Sequence, residues 1–467
     1  MRRASIAGPL ILIGVGLLFL MRNILPTVQV FDLIGQYWPF LLIGWGLLRL
    51  VEIVFWAATD KPLPRSGVSG GEWVLVVFLF LVGSGMYAAR HYQGWLPDGR
   101  ALRGMVVDLG ESRDFPIEPI EKACGKTPKL VLENFRGNAR INGGDDAKVR
   151  VSGRKTIRSF EQNEADHANT QTPVELVQTG EQILVRSNQD RVNDRMRVSN
   201  DLDISVPKGT SVECHGIYGD FDITNIDGGV EIVSDNAGVR LQGIGGNVKV
   251  ELRKSDIIRA VGVKGNVDLR GRGDDVELQD IAGQVNVEGT YTGALQFRNL
   301  AKPLRYQGAQ VEFSAEKVPG QVRVSSGDLT GNNVTGPIRL TGRSRDVQLS
   351  DFTQSLDLTL DRGDVELRPA MLNFPKVDVR LRSGDLDLAL PEKAKFNLKA
   401  QTDRGEFHNE FGPPLDAKES GQGGAVSGST GAGPQLQLST DRGTVTVRKA
   451  GSGDGEKVVK ELKSVEE

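Results

Sequence analysis

Three aspartates, Asp328, Asp346 and Asp364, stand eighteen residues apart, and Asp274 lies further back in the same phase. If the chain repeats its conformation with that period, successive turns stack these carboxylates a few ångströms from one another. Closely paired carboxylates can divide general-acid and general-base roles, a chemistry suited to polysaccharide cleavage. A column of them also suits a hard cation. Arg345 and Arg362 adjoin the set, however, and aspartate at a turn commonly bonds nearby backbone. Turn capping is therefore the preferred reading. Asp328, Asp346 and Asp364 are kept as a candidate ladder, and no catalytic residue, cofactor-binding residue or metal ligand is otherwise assigned.

Little else in the chain points to chemistry. His91, His167, His215 and His408 are scattered and form no ligand set. There is no GxSxG, P-loop or metal signature. A formal charge of -3 and a pI near 6.0 give no basic field for nucleic acid. Cys124 and Cys214 are too few and too distant in sequence for a zinc site or a disulfide scaffold. Whether they pair is left open.

The aspartates sit in a chain whose pattern, from about residue 125, alternates with period two. Lys129-Leu-Val-Leu-Glu133, Lys148-Val-Arg-Val-Ser152 and Leu202-Asp-Ile-Ser-Val206 read as short strands, and Phe160 to Gln171 as a helix or loop. From Gly219 a glycine-led unit recurs, as in Gly246-Asn-Val-Lys-Val250, Gly265-Asn-Val-Asp-Leu269 and Gly384-Asp-Leu-Asp-Leu388. Its starts at Gly219, Gly229, Gly238, Gly246, Gly265, Gly283 and Gly293 are 10, 9, 8, 19, 18 and 10 residues apart. Short strands repeated at multiples of about nine, with no intervening helix, predict a mainly β, β-helix-like β-solenoid, with two short strands per coil of about eighteen residues. Nine or ten coils would fit between Gly219 and Leu390. An antiparallel sandwich would not need so constant a step.

The same logic applies to Arg362-Gly363-Asp364, the tripeptide of many integrin ligands. Asp361-Arg362-Gly363 has siblings in Asp403-Arg404-Gly405 and Asp441-Arg442-Gly443. A corner between strands that needs positive φ explains all three glycines.

The N-terminal region obeys a different solvent. All five tryptophans fall before residue 96. Ile6 to Met21, Trp38 to Ala58 and Trp73 to Ala89 approach or reach the ~17 to 25 apolar residues that span a bilayer. Pro9-Leu-Ile-Leu-Ile-Gly-Val-Gly-Leu-Leu-Phe-Leu20 is repeated thirty residues later as Pro39-Phe-Leu-Leu-Ile-Gly-Trp-Gly-Leu-Leu-Arg-Leu50. Gly14, Gly16, Gly44 and Gly46 would let the two helices approach closely. Arg49 and Glu52 are read as an i,i+3 pair near the headgroups. Arg2, Arg3, Lys61 and Arg65 place the N-terminus inside and everything after Ala89 outside.

The expected organisation is a helical transmembrane hairpin over 1–60, a loop and third membrane helix over 61–91, a linker over 92–125 and the solenoid over 126–450. A low-complexity loop at 409–434 should be mobile, and 451–467 reads as a disordered charged tail. Gln435 to Arg448 should cap the rod.

Two resemblances add to this. The repeated PxxLIGxGLLxL hairpin resembles the membrane region shared by LiaI- and LiaF-type proteins of bacterial envelope-stress systems. Residues 206–246, with Val206-Pro-Lys-Gly209 and the later Ser326-Gly-Asp328 and Ser383-Gly-Asp385 turns, are similar to the bacterial "putative adhesin" β-solenoid family. Tyr218-Gly-Asp220 departs from its Ser-Gly-Asp pattern at the first position. That resemblance implies no catalytic residues. The expected function is a non-enzymatic protein of the bacterial cytoplasmic membrane, whose extracytoplasmic solenoid binds or scaffolds in envelope-stress sensing or adhesion. The expected partners are the lipid bilayer, membrane sensor proteins or cell-envelope glycans, with no cofactor and no nucleic acid. The alternative is a carbohydrate-active enzyme working through the stacked aspartates.

Overall fold

The computed structural model describes residues 110–192, 196–420 and 422–451, with scattered helical positions between 40 and 54 and between 76 and 84. Apart from those positions, the three expected spans and the Arg49–Glu52 pair lie outside the described residues, as does nearly all of the tail. Among the described residues no helix is long and apolar enough to cross a membrane.

The described chain divides into two compact units. In the first, helix α1 (Gln162–Gln171) resolves the helix-or-loop alternative and buries Ala165 and Ala168 with Ile157 and Val198. Lys155 is also interior, 3% exposed. Its Nζ donates to Asn169 Oδ1 at 2.9 Å and to the Thr172 carbonyl at 2.5 Å, satisfying the end of the helix. Burial pushes this ammonium down to about 8.

The second unit is the coil stack. Each strand turns alternate side chains inward, so Val230 and Ile232 are buried while Glu231 and Val233 face outward. Parallel pairing then places like on like. Val230 lies against Val248, Val248 against Val267, Val267 against Val285, and Val285 against Leu304. A second sheet repeats the arrangement through Val239, Ile258, Val276 and Leu295. The chain alternates between the two sheets, and the core is the set of apolar columns between them. A solenoid-like, mainly β architecture therefore holds.

The succession of coils is not unbroken. Leu304–Gln307 turns back at Gly308 into Val311–Ala315, which runs antiparallel to it. Val318–Val324 is antiparallel to Leu295–Leu300 on one side and to Asp328–Asn332 on the other. One whole coil thus winds backwards before parallel pairing resumes with Asp328 on Asp346.

Both ends of the stack are wedged. Lys129–Arg136, the earliest strand of its sheet, lies between Gln182–Arg186 and Ser211–Tyr218. The last strands, Gln435–Arg442 and Val445–Lys449, lie inside the coil formed by Asn397–Arg404 and Phe407–Asn409. They do not cap the rod as expected. The cap comes from 409–434, where the expected mobile loop instead forms strands Asp416–Ser420 and Gly423–Ser429, the latter antiparallel to Asn397–Arg404. Glu175–Thr179 covers Gln182–Arg186 in the same way. Antiparallel hairpins at both ends blunt the exposed ladder of backbone groups. The expected linker 92–125 likewise contains a strand, Glu111–Ala123.

The punctuating glycines answer to two different demands. At Gly363, φ is +132°, the corner conformation expected. At Gly265 and Gly283 the backbone is ordinary, but a Cβ would meet the carbonyl oxygen of the preceding coil at 2.3 and 2.1 Å. There, space rather than torsion selects glycine.

Candidate functional site

The coil corner brings Asp328, Asp346 and Asp364 into one column. Asp328 and Asp346 are direct register partners. Asp346 Oδ1 accepts the Asp364 backbone N–H at 2.9 Å, and Asp364 Oδ1 accepts that of Asp385 at 2.9 Å. Asp385 Oδ1 in turn accepts the Thr444 N–H at 2.7 Å. Asp385 falls outside the eighteen-residue spacing because its coil is longer. Asp274 does not join the column: the register aligns Asp275 with it, and the reversed coil intervenes.

The geometry is that of a backbone clamp. The carboxylates of Asp346, Asp364 and Asp385 each receive an N–H at the start of the next strand, satisfying a donor at a corner where the ladder would otherwise lapse. At Asp328 the matching Asp346 N–H goes instead to the Gly327 carbonyl. Charge is incidental to this role. Asn247 Oδ1 accepts the Asn266 N–H and Asn266 Oδ1 the Gln284 N–H, both at 2.9 Å, at other corners. Arg345 directs its hydrogen bonds to backbone carbonyls, with the Asp328 charge close by. Its guanidinium, 7% exposed, turns inward to donate to the Ser325 and Asp328 carbonyls, the latter at 3.0 Å, and so fixes the turn that ends the reversed coil. Burial draws its pKa down.

A prediction follows for chemistry at this ladder. Asp346→Asn and Asp364→Asn retain the acceptor, and should stay within about 0.5 kcal/mol of the parent. The alanine variants lose it, and should cost about 1 kcal/mol each in thermal or urea melts. A glycan-cleaving activity in the parent that vanished in the asparagine variants would establish the catalytic alternative.

Arg362-Gly363-Asp364 belongs to the same corner, with Gly384, Gly405 and Gly443 also at positive φ. Cys124 and Cys214 do not pair; both are free thiols, Cys214 wholly buried and its pKa pushed up by that burial. His215 and Lys129 both contact Glu213, at 2.7 and 2.5 Å, and hold its carboxyl below the usual range, Lys129 most strongly. Among the described residues no His/Cys/Asp/Glu group is arranged to hold a metal ion.

One charged cluster had no sequence signal. Arg448 Nε reaches Asp387 Oδ2 at 2.8 Å and its Nη2 reaches Glu366 at 3.4 Å, while Arg368 meets Glu366 at 2.5 Å. Burial raises the Asp387 pKa despite Arg448. Its members come from three strands up to 82 residues apart, so spacing alone could not reveal it. It ties the last strand into the stack.

No curated protein matches the chain. A solved structure titled a "putative cell adhesion protein", from Clostridium sporogenes, aligns with 72% of this chain and 100% of its own, at 9% identity and a TM-score of 0.19. The Toastrack DUF4097 family matches residues 140–448, which is most of the coil stack. With well over half of its length matched, the chain belongs to the Toastrack DUF4097 family.

Proposed function

We propose that the protein is a membrane-anchored, non-enzymatic component of a bacterial envelope, and that its coil stack serves as an extracytoplasmic binding or scaffolding surface in adhesion or stress sensing. The observation carrying this reading is that the ladder, the most regular set of reactive side chains, is committed to holding coil on coil. Outward positions on both sheets are largely polar, as a recognition surface in water requires. The membrane part draws on the N-terminal helical positions. Phe40, Leu50, Val51 and Leu81 are 65, 59, 63 and 64% exposed, a clustering of apolar surface that lipid favours over water. Membrane sensor proteins and envelope glycans are the partners this reading names.

Topology provides the test. A protease site inserted at the exposed Gly180 turn, where no atom lies within 4 Å of an added Cβ, should be cut in intact spheroplasts. Protection until the spheroplasts are lysed would overturn the extracytoplasmic placement.

A further inference from the structure

The coil containing Leu356–Leu367 is three residues longer than the eighteen-residue coil before it. The extra length forms a corner loop, 370–375, that carries Met371 and Leu372 at 63 and 80% exposure. Among the described residues from 110 onward, these are the large apolar side chains standing in the open. The loop is held rather than loose. The Ala370 N–H donates to the Phe352 carbonyl at 3.0 Å, and the Lys376 N–H to that of Gln354 at 2.9 Å. Phe374 stacks on Phe396 with centroids 6.2 Å apart, fastening this loop to the next one, 391–396.

Lys376, directly after the first loop, and Lys393 and Lys395 in the second are all exposed, with no ion pair among the described residues. The one acid in that pair of loops, Glu392, is engaged by Lys449 at 3.2 Å. Farther along the same edge of the stack, the corners add exposed Lys264, Lys302 and Lys317, with exposed Asp227 and Glu316 among them. An apolar tip with exposed ammonium groups on the same pair of fastened loops matches a bilayer with anionic headgroups. Apolar side chains enter the acyl boundary while cations stay at the phosphate level. A protein pocket for Met371 and Leu372 would not call for three exposed lysines beside the tip.

We infer that Met371 and Leu372 insert into an anionic lipid surface, with Lys376, Lys393 and Lys395 holding the edge of the stack against its headgroups. This deepens the membrane reading above, because it lays part of the stack on lipid instead of leaving it wholly in solution.

The test uses the full chain with Cys124→Ser and Leu372→Cys, labelled with an environment-sensitive nitrobenzoxadiazole dye; Cys214 is buried and stays unlabelled. The protein is reconstituted into phosphatidylcholine vesicles with or without phosphatidylglycerol. The dye should shift to the blue and resist iodide quenching in the anionic vesicles, but not when placed at Asp357→Cys on an exposed sheet face. Changing Lys376, Lys393 and Lys395 to glutamine should lower the insertion equilibrium by roughly 100-fold. An aqueous spectrum at position 372 in both vesicle types would overturn the inference, as would a shift indifferent to phosphatidylglycerol and to the lysines. Flotation with the vesicles reads the N-terminal anchoring and the dye reads the tip, so the two readings fail separately.

Discussion

Gly384→Ala is expected to destabilise the C-terminal coils by about 4 kcal/mol, a large share of a domain's stability. Two penalties combine at this position. Its φ of +145° is a conformation that side-chain-bearing residues rarely adopt, and an added Cβ would lie 2.0 Å from the Gly363 carbonyl oxygen and 2.7 Å from its carbon. Those atoms are backbone and cannot rotate away. Nor can the coils separate locally. Gly363 rests on the Arg345 carbonyl, with 1.9 Å to a Cβ built there, and Gly443 rests on Gly384 at 2.1 Å. Moving one layer strains the next, and stretches the bonds from the Gly363 N–H to Ser383 and from the Gly384 N–H to Arg442. Gly327→Ala is the control, since nothing lies within 4 Å of its Cβ; it should melt within about 0.5 kcal/mol of the parent. If the two alanine variants melted together, the close-contact account of the glycine column would be wrong.

Much of this fold can be read from residues in order, and what cannot has a physical reason. The eighteen-residue step that relates Val230 to Val248 is written in the sequence because a parallel coil must repeat its inward positions. The reversed coil is not. Period-two alternation reads the same in either chain direction, so Val311–Val324 looks like any forward pair of strands. Layer order is equally silent. Asn397-Leu-Lys-Ala-Gln-Thr-Asp-Arg-Gly405 and Gln435-Leu-Gln-Leu-Ser-Thr-Asp-Arg-Gly443 follow one pattern, and nothing local says which lies inside. The glycine-rich run of 409–434 reads as a loop by composition. Yet a Cβ at Gly423 would meet the Thr402 carbonyl at 2.1 Å, and one at Gly428 the Pro414 carbonyl at 2.6 Å. Those glycines serve close packing of the end cap. At the candidate site the spacing located Asp328, Asp346 and Asp364, but the role of Asp346 and Asp364 depends on which N–H each oxygen faces. That is a property of the stacked coils and not of the triplet.

Ending the chain after Pro434 should unfold the coil beneath the missing strands rather than shorten the stack neatly by one layer. Gln435–Arg442 and Val445–Lys449 lie between two coils, so their loss removes the partner of Lys376–Leu381 on one side and of Asn397–Arg404 on the other. Leu436, Leu438, Val445 and Val447 are all at most 1% exposed. At about 1.5 to 3 kcal/mol for each buried side chain, their removal approaches the net stability of a whole domain. Loss of Arg448 also leaves Asp387 and Glu366, already partly buried, without that cation. The competing outcome is that Asn397–Arg404 drops into the vacant layer, since Leu398, Ala400 and Thr402 match Leu436, Leu438 and Thr440. Against it stands the companion strand: Phe407–Asn409 has three residues, whereas Val445–Lys449 has five. Phe396 would also have to give up its packing with Phe374 and Phe411. Hydrogen exchange separates the two. Amides of Lys376–Leu381 and Leu386–Leu390 should lose protection in the truncated chain while those of Val230–Asn236 keep it, and a chain ended after Ala450 should match the parent throughout. Full protection of Lys376–Leu381 without residues 435–449 would mean that the outer coil can replace the inserted strands.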